Sequence, residues 1–221
     1  MKLSALNKRR INNFKSNKRG WYSFWIFSFL FIISIFADFV ANEKPLIIKY
    51  ENKFYFPVLF EYSETTFGGD FETEADYLDP YVKNLINTKG WMVLPIVPYS
   101  YNTIIKDLKF PAPSSPSKKN WLGTDDQARD VLARLIYGFR ISILFGFTLT
   151  FFSMIIGVSA GAIQGYFGGK IDLFFQRFME IWSAVPTLYI LIILASVIQP
   201  NFWWLLIILL LFSWMGYVGV V

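Results

Sequence analysis

Two long stretches of this chain carry no Asp, Glu, Lys or Arg, one from Ile141 to Gly169 and one from Ile181 to Val221. A shorter apolar block runs from Trp21 to Ala37. A bilayer core is about 30 Å thick, so a spanning helix needs about 20 mostly apolar residues. The last block is about twice that length, and Gln199-Pro200-Asn201 interrupts it near its middle. The pattern predicts four spans: 21–40, 141–163, 181–198 and 202–221. Pro186 falls early in the third span, where a proline frees a backbone carbonyl and kinks a helix.

Between the first and second spans the pattern changes. Residues 41–120 are mixed in charge and rich in aromatics. Leu46–Tyr50 and Phe54–Phe60 read as short strands, and Asp76–Asn87 reads as a short helix. The stretch from Phe110 to Asn120 holds Pro111, Pro113 and Pro116 and reads as a stiff extended connector. An amphipathic helix is predicted over 124–140. Thr124-Asp125-Asp126-Gln127 has the form of a capping box. Asp125 with Arg129 and Asp130 with Arg134 are spaced to pair along one face. Val131, Leu132, Leu135, Ile136 and Phe139 would form its apolar stripe. In the second span Ser153, Gly157, Gly161 and Gly165 recur every four residues, so their small side chains share a face that lets another helix approach closely.

Composition narrows the chemistry. The chain has no Cys and no His, which excludes disulfides, zinc sites built on those ligands and His-based acid–base catalysis. The net charge of +5 is concentrated at one end: Lys2, Lys8, Arg9, Arg10, Lys15, Lys18 and Arg19 all precede the first apolar block, with no acid among them. Basic residues flanking a span mark its cytoplasmic side, so residues 1–20 read as a cytoplasmic tail rather than a nucleic-acid-binding arm. The extracytoplasmic insertion is then 41–120. Gly168-Gly169-Lys170 is not a phosphate loop, because Gln164 and Ile171 stand where that motif requires Gly and Ser or Thr. The long apolar blocks hold no ionisable group of the kind that marks intramembrane chemistry. No catalytic, cofactor-binding or metal-binding residue is assigned.

The run from Trp121 to Ser142, Trp-Leu-Gly-Thr-Asp-Asp-Gln-Ala-Arg-Asp-Val-Leu-Ala-Arg-Leu-Ile-Tyr-Gly-Phe-Arg-Ile-Ser, resembles the L-G-T-D-x-x-G-R-D-V-L-x-R-L-I-Y-G-x-R-x-S signature of inner-membrane permease subunits of dipeptide and oligopeptide ABC importers. Gly123, Thr124, Asp125, Arg129, Asp130 and Arg134 carry that likeness. Gly165-Tyr166-Phe167-Gly168-Gly169-Lys170-Ile171-Asp172 continues it, as does Pro186. The aromatic insertion resembles the branch that imports long peptides and microcin C. One departure is Ala128, where the family usually has Gly; in a helix this change would be minor. Another is that no part of the sequence matches the E-A-A-x-x-x-G motif that docks the ATPase in this family, so the chain reads as a permease cut before that loop.

The resemblance implies an all-α integral membrane protein of type I ABC importer permease character with a small extracytoplasmic insertion of mixed structure. Residues 121–221 would form the N-terminal part of its transmembrane domain. It implies a bacterial inner-membrane, multi-pass location and a transporter subunit rather than an enzyme, forming part of a peptide path by alternating access. The implied partners are the lipid bilayer, a second permease subunit, cytoplasmic ABC ATPase subunits that hydrolyse ATP, and an extracytoplasmic peptide-binding protein. No cofactor and no nucleic acid are implied. Substrate-contacting residues are not assigned, because such sites come from facing helices of two subunits. The alternative reading is a membrane-anchored structural or assembly protein with an extracytoplasmic binding segment.

Overall fold

The computed structural model describes residues 4–108, 110–199 and 201–220. Pro200, part of the predicted turn, and Val221, the predicted end of the fourth span, lie outside them, as do Met1 to Leu3 of the tail. The chain divides into two compact units, Met1–Arg140 and Ile141–Val221.

The first unit opens with two helices that share one capping residue. Helix α1 is Ala5–Ser16 and α2 is Lys18–Ile35. Asn17 ends the first and caps the second, its side chain accepting from the Gly20 N–H at 3.2 Å. A four-residue helix α3, Ala37–Val40, follows. The insertion then folds around a three-stranded antiparallel sheet of order β2-β1-β3, with β1 Ile47–Tyr50, β2 Lys53–Tyr55 and β3 Gly90–Val93. Strands β1 and β2 meet the predicted pair, but β2 ends at Tyr55, and Pro57, which cannot donate to a ladder, follows two residues later. The β1–β2 loop is Glu51-Asn52, both at positive φ as a two-residue hairpin requires. Helix α4, Pro80–Lys89, is capped by Asp79, which accepts from Tyr81 N–H at 2.8 Å.

Two separate cores hold this unit. Phe67 is fully buried and meets the rings of Tyr50, Tyr55, Tyr62 and Tyr77 edge-on at centroid distances of 5.6, 5.4, 6.3 and 6.0 Å. Edge-on aromatic pairs are favourable beyond their buried area. The second core joins Ala37 and Ala41 to Val97, Tyr99, Ile105, Ala133 and Tyr137.

The second unit is helical. Helix α5, Val131–Phe167, starts in the first unit and continues through the second. It is followed by α6 Gly169–Ser183, α7 Thr187–Val197, α8 Phe202–Ser213 and α9 Met215–Val218. Among the described residues α5 alone is long and apolar enough to cross a bilayer by itself; α6 and α7, bent by 62° at their break, make a second candidate as one broken element. The stretch Ile171–Glu180 reads in the sequence as a charged segment between spans and is helical here. Its Arg177–Glu180 pair at 2.6 Å and Gln176–Asp172 bond at 3.0 Å satisfy its polar groups along the helix surface. The break falls at Ala184–Pro186, and Pro186 supplies no N–H to carry the helical ladder across it.

Candidate functional site

The predicted helix over 124–140 begins at Val131 instead. Residues Thr124 to Asp130 form a tight turn whose ends pair as an antiparallel bridge. The cause is the Asp125 carboxylate. Its Oδ1 accepts from Gln127 N–H at 3.0 Å and Arg129 N–H at 2.9 Å, and its Oδ2 accepts from Arg129 Nε at 2.9 Å and from Arg134 Nη1. Asp side chains that capture nearby backbone N–H groups stabilise turns against helix. Ala128, at φ +59°, completes the turn in the left-handed region. The change from the family's Gly is therefore not in a helix, and its side chain costs conformational energy there.

The capping box is also displaced. Asp130 caps the helix, accepting from Ala133 N–H at 2.8 Å through Oδ1. Its Oδ2 accepts from Asn120 Nδ2 at 2.8 Å, and the residue is 1% exposed. Asp130 therefore does not pair with Arg134, which turns back to Asp125. The Asp125–Arg129 pair forms at 2.8 Å, within the turn rather than on a helix. Burial alone would raise the Asp125 carboxyl; the N–H groups and two guanidinium groups outweigh it and hold the group at about 2.

Gly123 and Thr124 tie the turn to the Pro/Ser connector. Thr124 N–H donates to Ser114 O at 3.0 Å, and Ser114 N–H donates to Thr124 Oγ1 at 3.0 Å. Gly123 sits at φ +75°, and a Cβ there would run into the Ser114 carbonyl and lie 3.2 Å from the Ser115 carbonyl carbon. All six signature residues thus belong to one cross-linked loop or to the first turn of α5. The buried face of that turn is Asp130, Ala133 and Tyr137, with Leu132 and Ile136 packed beside it; Leu135, predicted in the stripe, is 56% exposed.

A second cluster lies where α3 meets the start of α5. Tyr137 Oη donates to Asp38 Oδ1 at 2.8 Å and lies 2.9 Å from the Ala41 carbonyl. Arg140 Nη1 donates to Asp38 Oδ2 at 2.8 Å, with its guanidinium carbon 4.9 Å from the centre of the Tyr137 ring. The sequence reading assigned none of Asp38, Tyr137 and Arg140 to a site. The available signal was Asp38, the first acid in the chain, placed immediately after the first apolar block.

In the second unit, the small-residue face of α5 meets α8 and α9. Ser153, 1% exposed, hydrogen-bonds to Ser213, and a Cβ on Gly157 would meet the Trp214 carbonyl and lie 2.6 Å from Tyr217 Cβ. Gly161 is buried on the same side, next to Ala160. Gly165 departs from the expected face: it is exposed, with nothing within 4 Å of its Cβ position, and Gln164 is the buried residue at that level. The four-residue spacing drifts around a helix of 3.6 residues per turn, so the seam moves from Gly161 to Gln164. Behind α8, the indole N–H groups of Trp182 and Trp214 both donate to the Leu211 carbonyl at 3.0 Å.

From Ile141 onward α5 carries no charged residue, and its small-residue seam is packed against α8 and α9. Residues 153–221 match the family described as binding-protein-dependent transport system inner membrane component. Over 220 residues, 100% of its length, it is 50% identical to the inner membrane ABC transporter permease protein YejE of Escherichia coli K12, of which it covers 64%. It is 48% identical over 242 aligned residues to the peptidoglycan transport system permease protein YejE of Agrobacterium fabrum, covering 99% of this chain and 63% of that one. The dipeptide transport system permease protein DppC of Haemophilus influenzae is 44% identical over 80 residues, 36% of this chain and 27% of its own. The chain thus spans a little under two thirds of the two relatives that match it end to end.

Proposed function

We propose that this chain works as a permease subunit of an ATP-driven importer of peptides or peptide-bearing compounds. The observation that carries the reading is the 50% identity, over 64% of that relative's length, to an ABC transporter permease, seconded by relatives named for dipeptide and peptidoglycan transport. In this reading the chain is multi-pass in the bacterial inner membrane with a cytoplasmic N-terminus. Spans 21–40, 141–163, 181–198 and 202–221 cross the bilayer, and 41–120 faces outward. A second permease completes the path, cytoplasmic ATPase subunits hydrolyse ATP, and an outer binding protein delivers the substrate.

Transport of this kind alternates between two packings of the same helices, one open to each side. The α5 seam suits such a role. Small residues bring backbones close without long interlocking side chains, and the Ser153–Ser213 bond and the Gly157 contact are local enough to re-form after a shift. The 62° break at Pro186 gives a place where the backbone can turn. The cross-linked loop from Gly123 to Arg134 acts in this reading as a rigid head on α5, not as a substrate contact.

The test is affinity purification of the tagged chain from membranes in mild detergent, with mass spectrometry of what accompanies it. Recovery of a second permease and an ATPase is expected. Recovery of the chain alone, or with an unrelated assembly, would reject the importer reading in favour of a membrane-anchored scaffold.

A further inference from the structure

Helix α1 and the start of α2 form a surface that nothing else in the described chain occupies. Lys8, Arg9, Arg10, Lys15, Lys18 and Arg19 lie within a stretch whose first acid is Asp38. Among the described residues, none of the six takes part in an ion pair. No residue of α1 is buried. At 3.6 residues per turn, Leu6, Ile11 and Phe14 fall within an arc of about 140° that also holds Asn7 and Arg10, whose long stem lets its charged end reach out of that side, with Lys8, Arg9 and Lys15 on the rest of the circumference. These three apolar side chains are 59, 39 and 42% exposed.

The apolar side is continuous with the apolar helix that follows. Phe14 meets the rings of Trp21 and Phe24 edge-on at 5.7 and 5.8 Å, across the Asn17 elbow. Lys15 Nζ lies 5.5 Å from the Trp21 ring centre. Tryptophan and lysine side by side at the head of an apolar helix are typical of the headgroup level of a bilayer. A short, strongly basic helix that gathers its large apolar residues toward one side and carries no acid is suited to lie in the plane of an anionic membrane surface.

We infer that α1 is an in-plane anchor, with Leu6, Ile11 and Phe14 in the acyl boundary and the basic side chains bound to anionic lipid headgroups. Asn17 is the elbow between this anchor and α2. The inference concerns lipid, and it holds or fails whatever the chain transports.

The absence of cysteine allows single spin labels. Ile11→Cys and Asn12→Cys, made in the full chain, place labels on the apolar and polar sides. The chain is reconstituted in vesicles of phosphatidylcholine alone or with about one third phosphatidylglycerol, and label accessibility to oxygen and to a water-soluble nickel chelate is compared. In the anionic vesicles the Ile11 label is expected to favour oxygen and the Asn12 label nickel. Replacing Lys8, Arg9, Arg10 and Lys15 by Gln should lower the ratio of interfacial to free Ile11 label at least about tenfold there. Glutamine keeps helix propensity, so lost charge is separated from lost helix. Equal nickel access at both positions in anionic vesicles, or an Ile11 label indifferent to lipid charge and to the four replacements, would overturn the anchor. So would loss of the interfacial signal on adding a soluble protein or RNA that captures α1 in preference to lipid.

Discussion

Tyr137 and Asp38 stand 99 positions apart and are joined by a 2.8 Å hydrogen bond, donated by the tyrosine hydroxyl to Oδ1 of the carboxylate. Arg140 takes the other oxygen of the same carboxylate, so one acid fastens the end of the first apolar segment to the beginning of α5. Tyr137→Phe keeps the ring and deletes the donor, leaving the Asp38 carboxylate one hydrogen bond short. The expected cost is about 1–3 kcal/mol, read as a lower unfolding midpoint of the detergent-solubilised protein. An unchanged midpoint would mean that water replaces the hydroxyl without loss.

Ala128 should gain stability when replaced by the family's own residue. Its φ of +59° is one that glycine adopts freely and alanine does not. Ala128→Gly is expected to stabilise the first unit by about 1 kcal/mol, seen in denaturant or thermal unfolding. A loss of stability would show that glycine's greater unfolded-chain entropy outweighs the relief of strain.

Asp125 gives the loop a defined pH response. Its carboxyl is lowered from 3.8 to about 2 in the folded protein, so its contribution is fully present above about pH 4 and is lost as pH falls through about 2. At about 1.4 kcal/mol per unit the shift corresponds to about 2 kcal/mol at most, and less once solvent screening is allowed for. Compared with Asp125→Asn, the native chain should be the more stable at pH 5, with the gap closing between about pH 4 and pH 2. A gap independent of pH over that window would mean that hydrogen-bonding geometry, not charge, holds the turn.

The seam in the second unit has a steric test. A side chain at Gly157 would run into the Trp214 carbonyl and Tyr217 Cβ. Gly157→Leu is expected to cost about 1–3 kcal/mol by overpacking and to abolish transport in a working importer. Gly165→Leu, facing open space, should leave both nearly unchanged, so equal effects at the two positions would contradict the seam.

The parts of this molecule that were legible in the sequence are those whose partners are near in sequence. Gly123, Asp125, Arg129, Asp130 and Arg134 lie within twelve residues, and the structure gathers them into one loop and the first helical turn after it. Their roles were not legible, because Thr124-Asp125-Asp126-Gln127 suits either a helix start or a carboxylate-centred turn. The turn forms because the Asp125 carboxylate captures the Gln127 and Arg129 N–H groups, and Arg134 reaches it only after the chain has turned back. Strand β3 was missed because Gly90-Trp91-Met92-Val93 is short and is ordered by pairing with β1, about 40 residues earlier. The Asp38–Tyr137–Arg140 cluster was hidden for the same reason: a contact across about 100 residues leaves no local pattern. The long apolar block of α5 was plain, since charge segregation is a property of the sequence itself.

Peptide uptake tests the central claim most directly. In cells lacking their own peptide permease, this chain is expressed together with the second permease, ATPase and binding protein that the proposed function calls for, and accumulation of a radiolabelled peptide is followed. Energy-dependent accumulation, lost in Gly157→Leu at equal membrane levels, is the result expected of a permease subunit. No accumulation, with the chain present in the membrane alongside the co-expressed subunits, would contradict it.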